Sequence, residues 1–518
     1  MRRPARLARL AAAAAALITA VTLAAGCTSS RAAPKPSQQT HQTHQTHQQP
    51  ASLSAYDDQH LAWHACDNGF QCARLLVPFN YQDPNGRRFS LPVIKLPASG
   101  PGSRIGALVV NPGGPGGSGV EYAQGARSEF PKTVLARFDI VGFDPRGVNG
   151  SQPALRCTTG PELDQYLETD DMPASTAQLS ALVAVSKQYA QRCQQRSGAL
   201  LPYVGTQNAA RDMDVLRAAL GERQLTYLGK SYGTFLGAWY AQLFPSRVRA
   251  LVLDGAVDPA TSALADDMTQ AQGFQTAFRS FAAWCLAGTG CPFQPGTSVS
   301  AAVARTGTLI AGASTTPLAN HLGDDQVVDG AMLVNGIAAA LYSKGTWNDL
   351  KIALTSAFAG DGTELLELAN YLLERNSNGT YSDLADADTA ISCLDRPYPH
   401  ALSQYETAAK TAAKAAPLFG SAIVWGSLTC AYWPVPAYPL PKIRAAGANP
   451  ILVVGTLRDP ATPYRQAQAL AADLASGVLL GWNGDGHTAY GEGSSCVDSI
   501  VNSYLISLKV PRSGTVCP

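Results

Sequence analysis

The sequence predicts an α/β fold: a mostly parallel eight-stranded sheet carrying an inserted, mainly helical cap. Eight short apolar runs, at 75–79, 89–96, 107–111, 139–143, 225–229, 248–253, 451–455 and 478–482, read as strands. Helical patterns such as 208–220 and 235–243 separate them, the alternation expected of a sheet layered with helices. Between Asp258-Pro259 and about residue 440 the strand signal vanishes and long helical stretches appear, among them 329–342 and 346–359. A chain of 518 residues also exceeds what one simple core needs, so a second body is expected. The predicted division is a core at 54–259, a helical cap at 260–439 and the rest of the core at 440–518.

The elements ahead of the core read as export and tether. Arg2, Arg3, Arg6 and Arg9 precede an Ala/Leu-rich segment, which makes 1–27 a signal peptide. It ends in Leu23-Ala24-Ala25-Gly26-Cys27, which resembles a lipobox with Cys27 as the lipidated residue. Leucine stands four residues before the cysteine rather than three, so cleavage nearby by an ordinary signal peptidase stays open. Residues 28–53 are rich in Ser, Thr, Gln, Ala and Pro and predict a disordered linker, because such a composition cannot bury a core. His41, His44 and His47 within it lack the supporting shell of a metal site, and His60 and His64 read as surface residues. Without Cys27, ten of the eleven cysteines remain, an even number suited to disulfides in an exported protein. Their spacing suggests Cys66–Cys72, Cys157–Cys193, Cys285–Cys291, Cys393–Cys430 and Cys496–Cys517, although connectivity is not fixed by sequence.

Four loops at strand ends carry the chemistry. The run 107–110 ends in Asn111-Pro112-Gly113-Gly114-Pro115-Gly116-Gly117-Ser118-Gly119, a loop able to present bare backbone N–H groups. The run 225–228 ends in Gly229-Lys230-Ser231-Tyr232-Gly233 and enters a helix, the setting of a G-x-S-x-G nucleophile elbow. Asp459 follows the run 451–455, and His487 follows 478–482. In open α/β sheets, catalytic groups gather at such ends. Ser231 is inert at its free pKa; His487 would take its proton, and Asp459 would fix the imidazole tautomer and stabilise its charged form. Acyl transfer also needs two donors aimed at an oxyanion, assigned to the amides of Gly114 and Tyr232. Asp144 reads as an organiser of the loop around Arg146, and Trp425, Tyr432 and Trp433 as packing residues.

Composition excludes more than it suggests. Charged residues make up 15% of the chain and the formal net charge is +1, a balance that argues against nucleic acid as the main partner. The glycine loop is not followed by Gly-Lys-Ser/Thr, and no C-x-x-C pair occurs. Neither a phosphate cradle nor a zinc cluster is therefore expected, and no cofactor or metal is.

The chain resembles α/β-hydrolase peptidases related to prolyl iminopeptidase, and most closely the secreted actinobacterial tripeptidyl aminopeptidases. The resemblance spans residues 60–518 and rests on 111–117, 138–147, 229–234, 455–463, 484–487, 496–498 and 514–517. It implies an α/β-hydrolase fold and a serine aminopeptidase that releases tri- or dipeptides and recognises the free α-amine of a peptide. A cation of that kind needs a carboxylate or carbonyl cluster, for which Asp395, Glu364 and Glu367 in the cap are the candidates. Asn111-Pro112 stands where iminopeptidases carry histidine, which argues against carrying over proline specificity. Two other classes remain: a carboxylesterase or lipase-like enzyme with the same triad, and a non-catalytic envelope lipoprotein that binds peptides. Oligomeric state is not read from the sequence.

Overall fold

Apolar runs with little alternation form strands covered on both faces, and the computed structural model, which describes residues 53–100 and 102–518, has ten strands in one sheet. They are β1 (His64–Ala65), β2 (Gln71–Asn80), β3 (Asp83–Leu96), β4 (Gly106–Asn111), β5 (Phe138–Phe143), β6 (Leu225–Lys230), β7 (Val248–Asp254), β8 (Ile451–Arg458), β9 (Gly477–Asp485) and β10 (Thr515–Cys517). The order across the sheet is β1-β2-β3-β5-β4-β6-β7-β8-β9-β10. Pairing is parallel from β5 through β10 and antiparallel among β1, β2, β3 and β5. The eight strands read from the sequence are β2 to β9. β1 and β10 correct the count to ten; at two and three residues they are too short to leave a pattern.

Helices cover both faces. Thr206–Ala219, Tyr232–Leu243 and Tyr464–Asp473 pack apolar residues such as Met213, Leu236 and Leu470 on one side. Gly119–Gln124 and Ser495–Ser507 bring Ala123, Val497 and Val501 to the other. The register then lines up the strand ends: Asn111 lies opposite Gly229, Lys230 opposite Asp254, Asp254 opposite Val454, and Arg458 opposite Asp485. The chain leaves β4 for β5 on one side and later returns to β6 on the other. That reversal opens a crevice at the carboxyl ends of β4 and β6.

Among the described residues no strand lies between β7 and β8; eight α-helices from Ala263–Ala287 to Gly420–Gly426 fill the interval. They enclose their own core, including Phe278, Phe281, Leu333, Trp347 and Leu365. The segment around Thr176–Ser197, read from the sequence as part of the core domain, also joins this body. Its Leu182 packs with Tyr405, Ala408 and Trp425. The buried Asp386 carboxylate accepts hydrogen bonds from the amides of Cys157 (2.7 Å) and Thr158 (3.1 Å) and from the hydroxyl of Tyr189 (2.6 Å). An amphipathic pattern shows that a helix has an apolar face, not which neighbour covers it.

Five disulfides join Cys66–Cys72, Cys157–Cys193, Cys285–Cys291, Cys393–Cys430 and Cys496–Cys517. The export signal, Cys27 and the linker up to residue 52 lie outside the described residues. Among the described residues no helix is long and apolar enough to cross a membrane.

Candidate active site

Ser231 sits between β6 and the helix Tyr232–Leu243 with φ 55° and ψ −127°. A non-glycine residue at positive φ is held there only when its surroundings dictate it, and here they do. The Ser231 amide donates to the carbonyl of Asp254 (2.8 Å), and its own carbonyl accepts from the amide and hydroxyl of Thr234 (2.8 and 2.6 Å). The flanking glycines are forced by contact. A Cβ on Gly229 would lie 2.4 Å from the Gly233 carbonyl oxygen, and one on Gly233 would lie 2.8 Å from Asn111 Oδ1.

Asp459 and His487 meet at the ends of the next strands. The imidazole Nδ1 lies 2.9 and 3.1 Å from the two carboxylate oxygens of Asp459. A carboxylate only accepts, so Nδ1 carries the proton and Nε2 is left as the basic nitrogen. The Asp459 side chain is fully buried and also accepts from the amides of Ala461 (3.0 Å), Thr462 (2.9 Å) and Thr488 (3.1 Å). Burial pushes the imidazole down, but the charge and hydrogen bond of Asp459, with Asp254 behind, more than offset it and hold His487 above its ordinary value. Asp254 closes the link to the serine. Its carbonyl accepts from Ser231, and its carboxylate accepts from the amides of Ala489 (3.0 Å) and Tyr490 (2.9 Å), just beyond the histidine. A Cβ on the next residue, Gly255, would lie 3.2 Å from His487 Cε1.

The glycine loop approaches the elbow as closely as a backbone can. Gly113 has φ +104°, and a Cβ there would lie 2.8 Å from Ser231 Cβ and 3.1 Å from the Tyr232 amide nitrogen. The Gly113 amide is already used, donating to Asn111 Oδ1 at 3.0 Å, whereas Gly114, also at positive φ, lies on the cavity wall beside Ser231 and Tyr232. Tyr232 is the first residue of its helix, where an amide has no intrahelical acceptor. Asp144 supports the loop from below, accepting from Ser118 Oγ (2.6 Å) and the amides of Val120 and Gly150. Arg146 is buried in a two-pronged ion pair with Asp212, away from the cavity wall.

Ser231, Tyr232 and Gly114 open into a cavity of about 280 Å³ beneath the cap. Asp395 is on its wall, accepting from the amide (2.8 Å) and hydroxyl of Thr206, which in turn bonds the Tyr232 hydroxyl. Glu364 and Glu367 are not on this wall. Their helix, Thr363–Leu372, turns Leu365, Leu366, Leu368 and Ala369 into the cap core, and Glu367 points outward, exposed. In their place stand three aspartates that sequence reasoning missed: Asp266 and Asp267 on the helix Ala263–Ala287, and Asp388 on Leu384–Asp395. Asp266 is ion-paired with Arg396, but its Oδ1 has no partner, nor has Oδ2 of Asp267. Enclosure by protein pushes the carboxyl of Asp267 up to about 8 and those of Asp388 and Asp395 to about 7. The available signal was an acidic pair at 266–267 and, at 388, the last aspartate of the run Asp383-Leu384-Ala385-Asp386-Ala387-Asp388. Among the described residues no group of three or more His, Cys, Asp or Glu has an arrangement that would hold a metal.

Comparison with known proteins agrees with this architecture. Residues 106–299 match the family model described as alpha/beta hydrolase fold, and residues 416–517 match the one described as TAP-like protein. Serine protease Hip1 of Mycobacterium tuberculosis is 39% identical over 464 residues, covering 87% of each chain. Carboxylesterase B of the same organism is 40% identical over 457 residues, covering 86% of each. Tripeptidyl aminopeptidase of Streptomyces lividans is 33% identical over 457 residues, covering 86% of this chain and 83% of its own.

Proposed function

The chain belongs to the TAP-like α/β-hydrolases and is a serine peptidase, and from that premise we propose an aminopeptidase that frees short N-terminal fragments, tri- or dipeptides, through an acyl-enzyme on Ser231. Ser231 Oγ attacks the scissile carbonyl carbon while His487 Nε2 takes its proton. The oxyanion is received by the amides of Gly114 and Tyr232. His487 returns the proton to the departing amine, the C–N bond breaks, and an ester to Ser231 remains. Water, deprotonated by the same imidazole, then releases the fragment as a carboxylate. Asp459 holds the imidazole and stabilises its charged form, in keeping with the raised proton affinity of His487.

The observation that carries the exopeptidase reading is the row of carboxyls, Asp266, Asp267, Asp388 and Asp395, on the wall of the cavity that holds Ser231. A substrate ammonium entering there gains charge-assisted hydrogen bonds and removes the penalty of an enclosed anion. Asp267 and Asp388 are the stronger choices because Thr206 engages both oxygens of Asp395, whereas Oδ2 of Asp267 has no partner. The test is a pair of peptide substrates differing only in N-terminal acetylation, compared by kcat/KM where the amine is protonated. Loss of the ammonium, leaving buried carboxyls unpaired, should cost about 2–5 kcal/mol in transition-state binding. Equal rates would reject amine recognition and leave the serine hydrolase intact. The carboxylesterase alternative, favoured by the 40% identity to Carboxylesterase B, predicts that the acetylated substrate and neutral esters do at least as well. A non-catalytic binding role is set aside by membership of a hydrolase family.

The proposal includes export, supported by five disulfides that need an oxidising compartment. Attachment through Cys27 predicts that Cys27→Ser moves the protein from the membrane fraction to the medium with unchanged specific activity. A wild-type protein already free in the medium, with an unmodified N-terminus, would instead support simple secretion.

A further inference from the structure

The base of the triad is held by the cap as well as by the sheet. Where the cap helix Gly330–Leu341 ends, the chain lies along the His487 loop: the His487 amide donates to the Tyr342 carbonyl at 2.7 Å, and Ser343 forms an antiparallel bridge with Gly486. Gly486 is at φ +118°, and a Cβ there would stand 3.1 Å from that same carbonyl oxygen. The Tyr342 ring then packs on the imidazole, centroids 5.4 Å apart and planes at 85°. It also meets Phe274, centroids 5.6 Å apart, which continues to Phe419 in the cap core. Thr346 fixes the turn, its hydroxyl lying 2.7 Å from the carbonyls of both Ala340 and Ser343, which share its one proton.

We infer that Tyr342 is a positioning residue for His487, so that the seating of the cap sets the orientation of the catalytic base. Asp459 fixes one nitrogen of the ring, but a single hydrogen-bonded edge leaves the imidazole free to swing about that contact. An aromatic neighbour at right angles removes this freedom. A tilt that moves Nε2 by about 1 Å is enough to cost up to about a hundredfold in turnover. The inference rests on the reading of His487 as the base.

The charged groups acting on the imidazole are Asp459 and Asp254, which favour its protonated form, and Lys230, which opposes it. On the cap side, Lys344 reaches Asp485 at 3.9 Å, and Asp485 is also paired with Arg458. None of these is removed by changing Tyr342. What changes is water access, and a wetter imidazole binds its proton more tightly.

The experiment compares Tyr342→Phe, Tyr342→Leu and Tyr342→Ala with Phe278→Leu, a cap-core change that reports what loosened packing alone does. Steady-state kinetics across pH and thermal melting are measured for each. Tyr342→Phe should retain kcat. The Leu and Ala variants should lose about tenfold to a hundredfold in kcat, with KM within about twofold and the acidic limb of the pH profile moved upward. Phe278→Leu should lower the melting temperature without this kinetic pattern. A folded Leu or Ala variant with wild-type kcat, a loss confined to KM, or the same kcat loss in Phe278→Leu would each overturn the inference; if Ala does not fold, Leu decides. His487→Ala separates the premise: residual full activity there removes the base assignment itself, whereas an inactive His487→Ala beside an unaffected Tyr342→Leu rejects the positioning role alone.

Discussion

The floor and the roof of the cavity treat buried carboxyl groups in opposite ways. On the sheet side, Asp459 accepts from three backbone amides and the imidazole, and Asp254 from two further amides. On the cap side, Asp266 and Asp267 each leave an oxygen without a partner, and burial is the sole influence raising Asp388. The floor is thus preorganised: its dipoles are in place before substrate arrives and need not move during the reaction. The roof is incomplete, since buried carboxyl oxygens left without a donor cost free energy that a bound cation would recover. Chemistry common to many hydrolases is built into the rigid half, and choice of substrate into the half that is unsatisfied until occupied.

Breaking the floor should have the largest effect. Ser231→Ala should abolish hydrolysis and fluorophosphonate labelling while the melting temperature stays near wild type; labelling of the folded variant would move the nucleophile elsewhere. Next comes Asp459→Asn, expected to lower turnover by about 10⁴, the loss found when a serine-protease triad aspartate is changed in the same way, with KM little altered. A near-normal rate would show that another acid, such as Asp254, whose charge also acts on His487, orients the imidazole.

Changes to the roof should be smaller and selective. Asp267→Asn and Asp388→Asn should reduce kcat/KM for free-amine peptides by about tenfold to a thousandfold, the range for truncating one side of a buried charge pair, while leaving N-acetylated peptides and esters unaffected. Equal losses on both substrate types would mean that these residues shape the cavity rather than read its occupant.

The smallest effect is on stability. Asp267 is lifted from 3.8 to about 8 and Asp388 from 3.8 to about 7. Each therefore favours the folded state fully below pH about 4, where both states are protonated, and loses that contribution as pH rises through its folded value. The empty enzyme should melt progressively lower between pH 4 and 8 on this account. The two Asn variants should flatten that slope, as should a saturating free-amine peptide product. An unchanged slope in both variants would show that these carboxyls ionise freely and that the contrast between floor and roof is not electrostatic.

Sequence legibility follows the same division. Strands β2 to β9 are legible because each contains a short apolar run, and the strand-end positions of Ser231, Asp459 and His487 because a glycine-forced elbow and two loops are local in the chain. The cavity wall is assembled from helices some 120 residues apart in sequence, at 266–267 and 388–395. Nothing local separates an acidic residue on such a wall from one elsewhere in the cap, so the sequence offers Glu364 and Glu367 as readily as Asp395 and does not single out Asp388. The packing of Thr176–Ser197 against the cap was hidden for the same reason. Tyr342 carried no signal at all, since its importance comes from a carbonyl and a ring that reach His487 across the domain boundary.

The two outermost strands raise a matter of colloidal behaviour. A sheet edge is a row of unused donors and acceptors, a template on which a neighbouring chain can add a strand. Here the edges are β1 and β10, only two and three residues long, and a disulfide lies at each: Cys66–Cys72 joins the residue after β1 to β2, and Cys496–Cys517 ties β10 to the helix Ser495–Ser507. β1 pairs only with Gln71 and Cys72 of β2, and β10 only with Leu480, Gly481 and Trp482 of β9, so fraying would lay bare those further stretches of the two longer strands. The bridges thus pin in place the short strands that cover those stretches. That protection lasts without chaperones for as long as the surroundings stay oxidising.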